Sequence, residues 1–413
     1  MSQDVGTAGR SPDVSPLEAL SVEPISSALR QPEAQVLAAA SQDVEKVSLF
    51  KGIEGVRAWL AWSVVATHTA MFTGLTTVLP HGNWLHVPGD DAVKVFIIIS
   101  GFVITHLILT KHEPYGLYIA RRFLRIFPAY LVSLALAILV APLSFDAVEA
   151  YKYTEPYQHQ DFLLLAQQYH HNLWEHVVAH LLLLQGAISN AVLPDSQIMF
   201  LPAAWSLSLE WQFYLLAPAW IFALIRFPIV TVAATLGIWL FWYKFLSDSY
   251  GLPSFLPGAG IYFLVGMGSR LLIKYLPRLN GYPFALVVAS SALVLLSKNL
   301  APLVIWLALL AYFQQPRNWA VLDSRLARAA GARSYSVYIL HIPFIFLGLY
   351  LSVHMLDLSL WPTVGLTVAV AVLGTLIGSE LVFRYIETPA INFARSLGKR
   401  RAPISPGAEA SGW

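Results

Sequence analysis

Arg57 and His68 stand inside the first long apolar stretch of this chain, where ionisable side chains are costly and mark functional positions by default. Eleven residues of helix would part them by roughly 16 Å along the axis, about half of a bilayer's hydrocarbon core. That spacing puts Arg57 at one headgroup boundary and His68 deeper. A neutral imidazole is cheaper to bury than a carboxylate or an ammonium, and it takes up and returns a proton near neutral pH. His68 therefore suits a general base. The alternative is a snorkelling arginine and a histidine hydrogen-bonded between helices.

The elements that must position this pair are helices. The chain has 413 residues, of which 57% are apolar and 12% charged, and its mean hydropathy is positive. This composition excludes an ordinary soluble domain and predicts an all-α, polytopic membrane helix bundle. Apolar segments near 54–73, 92–110, 124–143, 205–226, 228–247, 254–272, 281–297, 300–315, 335–355 and 361–383 predict about ten transmembrane helices. With ten crossings, Lys46, Lys51, Lys111, Arg121, Arg122, Arg125, Arg226, Lys274, Arg278, Arg317, Arg325, Arg328, Arg333, Arg384, Arg395 and Lys399–Arg401 all fall on one side. By the positive-inside rule that side is the cytoplasm, with both termini there. A further apolar stretch, Val177–Leu193, would invert every later loop if it crossed, so it is expected to be a re-entrant or interfacial helix. Residues 144–176 are then an outer-face loop. Residues 1–49, rich in Ser, Pro, Ala, Gln and Glu, read as a disordered cytoplasmic tail. Residues 50–390 form the membrane domain, and 391–413 a short basic, then flexible, cytoplasmic tail. A net charge of +2, with the basic residues scattered among apolar segments, argues against nucleic acid. The absence of cysteine removes thiolate chemistry and disulfides.

Four constellations carry polar chemistry into the spans. In AVKVFIIISGFVIT (92–105), Ser100 and Gly101 let a neighbouring helix or a thin ligand approach closely, while the role of Lys94 is open. In YIARRFLRIFPAY (118–130), Arg121 and Arg125 share a helix face beside Arg122, a cation cluster suited to phosphates or to positive-inside anchoring. In WSLSLEWQFYLLAP (205–218), Ser206 and Glu210 are one turn apart, and Trp205, Trp211, Phe213 and Tyr214 read as an interfacial belt. Glu210 needs a partner or a water-filled cavity, and could orient His68 or a substrate hydroxyl. In GARSYSVYILHIP (331–343), Tyr335, Tyr338 and His341 offer hydrogen-bonding groups along an internal channel, or glue between helices. His176 and His180, four apart and close to His170 and His171, raise a metal reading. Without an HExxH arrangement no metal is expected there.

Taken in order, these residues resemble the acyltransferase-3 family of integral membrane O-acyltransferases. The resemblance rests on Arg57 and His68, FxxxSGF at 96–102, RRxxR at 121–125 before Pro128, WSLSLEWQFY at 205–214, SYSVYILH at 334–341 and RYIETP at 384–389. It implies transfer of an acyl group, usually acetyl from acetyl-CoA as cosubstrate, to a hydroxyl of a carbohydrate or glycolipid acceptor at the bacterial inner membrane. It also implies that Arg57 and His68 are essential. A hydrolase-like domain, fused in larger family members, is not expected, because a short basic, then Pro/Ser/Gly-rich stretch follows residue 390. The membrane domain is therefore expected to acylate its acceptor directly, or to work with a separate extracytoplasmic transferase. The expected mechanism places CoA phosphates at Arg121, Arg122 and Arg125 with Arg57, and a thioester at His68. His68 would deprotonate the acceptor or carry the acyl group itself, Glu210 would assist, and Ser100, Trp205, Ser206, Tyr335, Tyr338 and His341 would line the substrate channel. The rival from another class is a secondary transporter or lipid-linked sugar flippase, whose usual internal repeats are not evident.

Overall fold

A computed structural model of the chain describes residues 52–111, 113–272, 300–313 and 320–398. The predicted tail 1–49, the predicted span 281–297 and residues 399–413 lie outside these. Every longer element among the described residues is helical: α1 (52–72), α2 (Val87–Thr110), α3 (Tyr115–Ala150), α4 (Pro156–His171), α5 (Leu173–Leu181) and α6 (Trp205–Arg226). Then follow α7 (Pro228–Phe245), α8 (Leu256–Leu272), α9 (Ala301–Phe313), α10 (Arg325–Tyr350), α11 (Leu360–Val382) and α12 (Thr388–Ser396). Six stretches, 84–110, 115–150, 202–226, 228–245, 325–355 and 360–396, are long and apolar enough to cross a membrane. Helices α8 and α9 are apolar but shorter. Apart from 281–297, each predicted span coincides with one of these helices or with α1.

The differences lie where helices outrun their apolar stretch. Hydropathy marks only the part of a helix in hydrocarbon, and α3, with 36 residues, is roughly 54 Å long against a core of about 30 Å. Residues 144–176 are consequently not a loop, because the end of α3, all of α4 and the start of α5 occupy them. Helix α10 starts ten residues before its predicted span, where the Ser324 hydroxyl accepts from the Ala327 amide as an N-cap. At the other end of the bundle, α12 runs across residue 390. Arg121 donates to the carbonyls of Ala394 and Leu397 and so ties this last helix to α3.

Small residues set the crossings. A Cβ on Gly266 of α8 would run into the Ile98 carbonyl of α2, and one on Gly101 would meet the Phe263 backbone of α8. The predicted close approach at Gly101 is thus helix packing. Gly331 of α10 meets the Glu54 carbonyl of α1 in the same way, which seats the helix carrying His68 directly against the helix carrying His341. Two wider, π-helical turns, Leu351–Met355 and Phe383–Glu387, extend α10 and link α11 to α12.

The stretch expected as a re-entrant or interfacial helix over Val177–Leu193 is α-helical only as far as Leu181, and turns with one short 3-10 segment, Gln185–Ala187, follow. Its polar side chains explain the break. Gln185 reaches the Ala204 carbonyl, and Ser196 donates to the Gln185 carbonyl, contacts that a continuous helix would not allow. In α5, His176 and His180 are both wholly buried. Burial lowers His176 to about 4 and His180 to about 3, so both are neutral in the fold, whereas an unfolded chain would protonate them near 6.5. The folded state therefore binds fewer protons below that value. Its stability should be intact above pH ~6.5 and fall as the pH drops toward ~4, each histidine withdrawing about 1.4 kcal/mol for every pH step of one below ~6.5. Hydrogen exchange of residues 173–200 in detergent at pH ~7 and ~4.5 is expected to show selective opening at the lower pH. Equal protection at both would contradict this.

Candidate active site

The polar side chains of the spans lie in successive groups along α1, α2, α3, α6 and α10. At one end, Arg125 of α3 is ion-paired with Glu387, whose second oxygen accepts from Ser336 at 2.6 Å. Tyr335 donates to the Ile126 carbonyl at 2.7 Å, and its ring lies 5.5 Å from the Arg125 guanidinium. Arg57, on α1, lies in the field of Arg125, Glu210, Tyr214 and Glu387, yet makes no hydrogen bond among the described residues. Arg122 lies 5.9 Å over the Tyr214 ring, and its buried Nε has no hydrogen-bond partner among the described residues, nor has the hydroxyl of Tyr118.

In the middle, Glu210 accepts from Ser100 at 2.8 Å and from Tyr214 at 2.5 Å. Further along, Ser206 and Tyr338 share a hydrogen bond of 2.8 Å, and Tyr338 also donates to the Ala203 carbonyl at 3.0 Å. Trp205 packs against the core at the start of α6. The last group holds His68, whose Nδ1 lies 2.9 Å from Nε2 of His341. The two rings stack with centroids 5.1 Å apart, and His341 Nδ1 lies 2.7 Å from the Tyr338 carbonyl. Phe72 stacks beyond His68. Just past it, Thr67 donates to the Leu85 carbonyl, and His86 lies 3.4 Å from Glu155.

A family model described as an acyltransferase domain matches residues 50–380, most of the chain and nearly all of these groups. This chain belongs to the acyltransferase-3 family. Among its relatives, the acyltransferase MdmB of Streptomyces mycarofaciens is 28% identical over 188 residues. That alignment covers 45% of this chain and 42% of the relative, so the chain matches less than half of that protein's length. No solved structure matches.

In this acyltransferase-3 chain most of the predicted site residues take part in these contacts, Arg121 does not, and several have other tasks than expected. Arg121 is paired with Glu113 and capped by two carbonyls, and Arg125 is paired with Glu387. Two of the three arginines expected at phosphates thus hold helices together, while Arg122 and Arg57 form no ion pair among the described residues. Glu210 does not orient the His68 ring. Its Oε1 accepts from both Ser100 and Tyr214, and His68 Nδ1 is paired with His341 Nε2. The aromatics after Trp205 are not an interfacial belt, since Trp211, Phe213 and Tyr214 are buried in the core. Reading them as a belt hides Tyr214 as a partner of Glu210. The four-residue spacing of the two, one helical turn, is the available signal. Among the described residues no group of three or more metal-ligating side chains is gathered.

Proposed function

We propose that this chain is a membrane O-acyltransferase that moves an acyl group, acetyl from acetyl-CoA, onto a hydroxyl of a cell-envelope or secreted carbohydrate. The observation that carries this reading is the paired His68 within the family domain, at the opposite end of the polar groups from the arginines Arg57 and Arg122. His68 takes the acceptor's hydroxyl proton as the oxygen attacks the thioester carbonyl. The tetrahedral intermediate collapses, the carbon–sulfur bond breaks, and the departing CoA thiolate recovers the proton from His68. The products are the ester and free CoA. Arg57 and Arg122 bind donor phosphates, for which planar guanidinium groups are suited. Glu210, held by Ser100 and Tyr214, faces the route between the two ends. About ten crossings in the bacterial inner membrane, with both termini cytoplasmic, put the arginine end at the cytoplasmic supply of acyl-CoA. The acceptor, a carbohydrate or glycolipid, is then met at the histidine end, directly or with a separate extracytoplasmic transferase. Membership of an acyltransferase family favours this over a transporter.

The test is label transfer from labelled acetyl-CoA to a bacterial glycan extract by membranes containing the protein. Arg57→Ala and Arg122→Ala are each expected to raise the donor KM by about 10-fold or more, the worth of one charge-assisted hydrogen bond, with a smaller effect on acceptor KM. An unchanged donor KM in both variants would remove the phosphate site from these residues. Failure of several acyl-CoAs to donate to any acceptor, with folded protein, would return weight to transport.

A further inference from the structure

The hydrogen bonds around the histidine pair determine which nitrogen of His68 is free to act. A backbone carbonyl has lone pairs only, so the 2.7 Å contact between the Tyr338 carbonyl and His341 Nδ1 requires a hydrogen on that nitrogen. His341 is wholly buried, and among the described residues no carboxylate hydrogen-bonds to either ring, so it carries a single hydrogen. Its Nε2 is then a bare acceptor. The 2.9 Å bond to His68 in turn requires that His68 Nδ1 is the donor. The remaining nitrogen of His68, Nε2, keeps its lone pair. It has no hydrogen-bond partner among the described residues, and His68 is only partly buried.

We propose that His341 is a positioning residue that holds His68 as the Nδ1–H tautomer, making Nε2 the atom that receives the acceptor's proton. This rests on the acyltransferase reading. An imidazole side chain in water favours the opposite tautomer, with hydrogen on Nε2, in which no lone pair would face the open side. The Tyr338 carbonyl and His341 together reverse that preference, as a carbonyl or carboxylate behind an imidazole commonly does. Tyr338 is itself fixed by Ser206 and the Ala203 carbonyl, so the start of α6 supports the relay. The chain of dependence is Tyr338 carbonyl, His341, His68 Nδ1, and finally His68 Nε2.

Nitrogen NMR of ¹⁵N-histidine-labelled protein in lipid, with the His68 signals assigned by their loss in His68→Asn, reads the tautomer directly. The wild type should show His68 protonated at Nδ1 and bare at Nε2. A wild-type ring carrying hydrogen on Nε2 would by itself overturn the proposal, whatever the variants do. In His341→Leu the hydrogen should move to Nε2, with kcat for acyl transfer lowered by about 100-fold and donor KM unchanged. In His341→Gln an amide oxygen can accept from Nδ1, and both the wild-type tautomer and most of kcat should return. A tautomer unaltered in His341→Leu would equally overturn the assignment. The expected tautomers without acyl transfer by any form, wild type included, would uphold the relay and overturn the acyltransferase reading instead.

Discussion

His68→Asn should lower kcat for acyl transfer by about 10²–10⁴-fold, the usual worth of a positioned general base, while donor KM stays within about two-fold. Asparagine is the informative replacement because its amide can still donate to His341 in place of His68 Nδ1, so the packing of α1 on α10 is retained. What it removes is the lone pair on the open side of the ring. Steady-state rates with labelled acetyl-CoA, beside size-exclusion profiles of the purified protein, separate loss of chemistry from loss of fold. A variant that turns over at the wild-type rate would place the base elsewhere. A variant that loses donor binding together with rate would mean that the ring contacts the thioester in the ground state.

The second large effect concerns stability. Glu387 is 1% exposed and is matched by Arg125 and Ser336. Arg125→Ala would leave that carboxylate buried without its counter-charge, a change that typically costs about 3–5 kcal/mol. We expect Arg125→Ala to be recovered from membranes mainly as aggregated or proteolysed protein. The double variant Arg125→Met with Glu387→Leu should regain most of the lost thermal stability, because apolar replacement of a whole buried pair is often neutral or better. Melting temperatures in detergent for the single and double variants provide the check. If Arg125→Ala is as stable as the wild type but has a raised donor KM, Arg125 serves the donor and not the fold.

These two cases differ in how far they can be read from the chain. His68 is visible because an ionisable group within hydrocarbon needs a reason, and Arg57, Glu210 and His341 are visible on the same ground. The helical spans are visible because twenty or so apolar residues have few other uses. Pairing is not. His68 and His341 are 273 residues apart, and Arg125 and Glu387 are 262 apart, so no local spacing announces either contact. A run of arginines looks the same whether its partners are phosphates or distant carboxylates, which is why Arg121 and Arg125 read as donor ligands. Residues 144–176 read as a loop for a related reason. Helix α4 is too polar for a hydropathy signal, and it packs on the part of α3 that continues beyond the apolar region.

The wide turn at Phe383–Glu387 has a consequence for the phase of everything beyond it. A turn closed by an i→i+5 bond holds one residue more than an α-helical turn, so side chains are displaced progressively through it, Glu387 at its end included, reaching about 100°, one α-helical step, for those beyond. Helical-wheel arithmetic carried from Glu380 through α11 therefore assigns Glu387 to the wrong face. Glu380 points toward Arg333 and Arg384 at the surface, while seven residues later Glu387 points inward to Arg125. The extra residue acts as a phase shifter, letting one continuous helical rod serve the exterior with one carboxylate and the interior with the next.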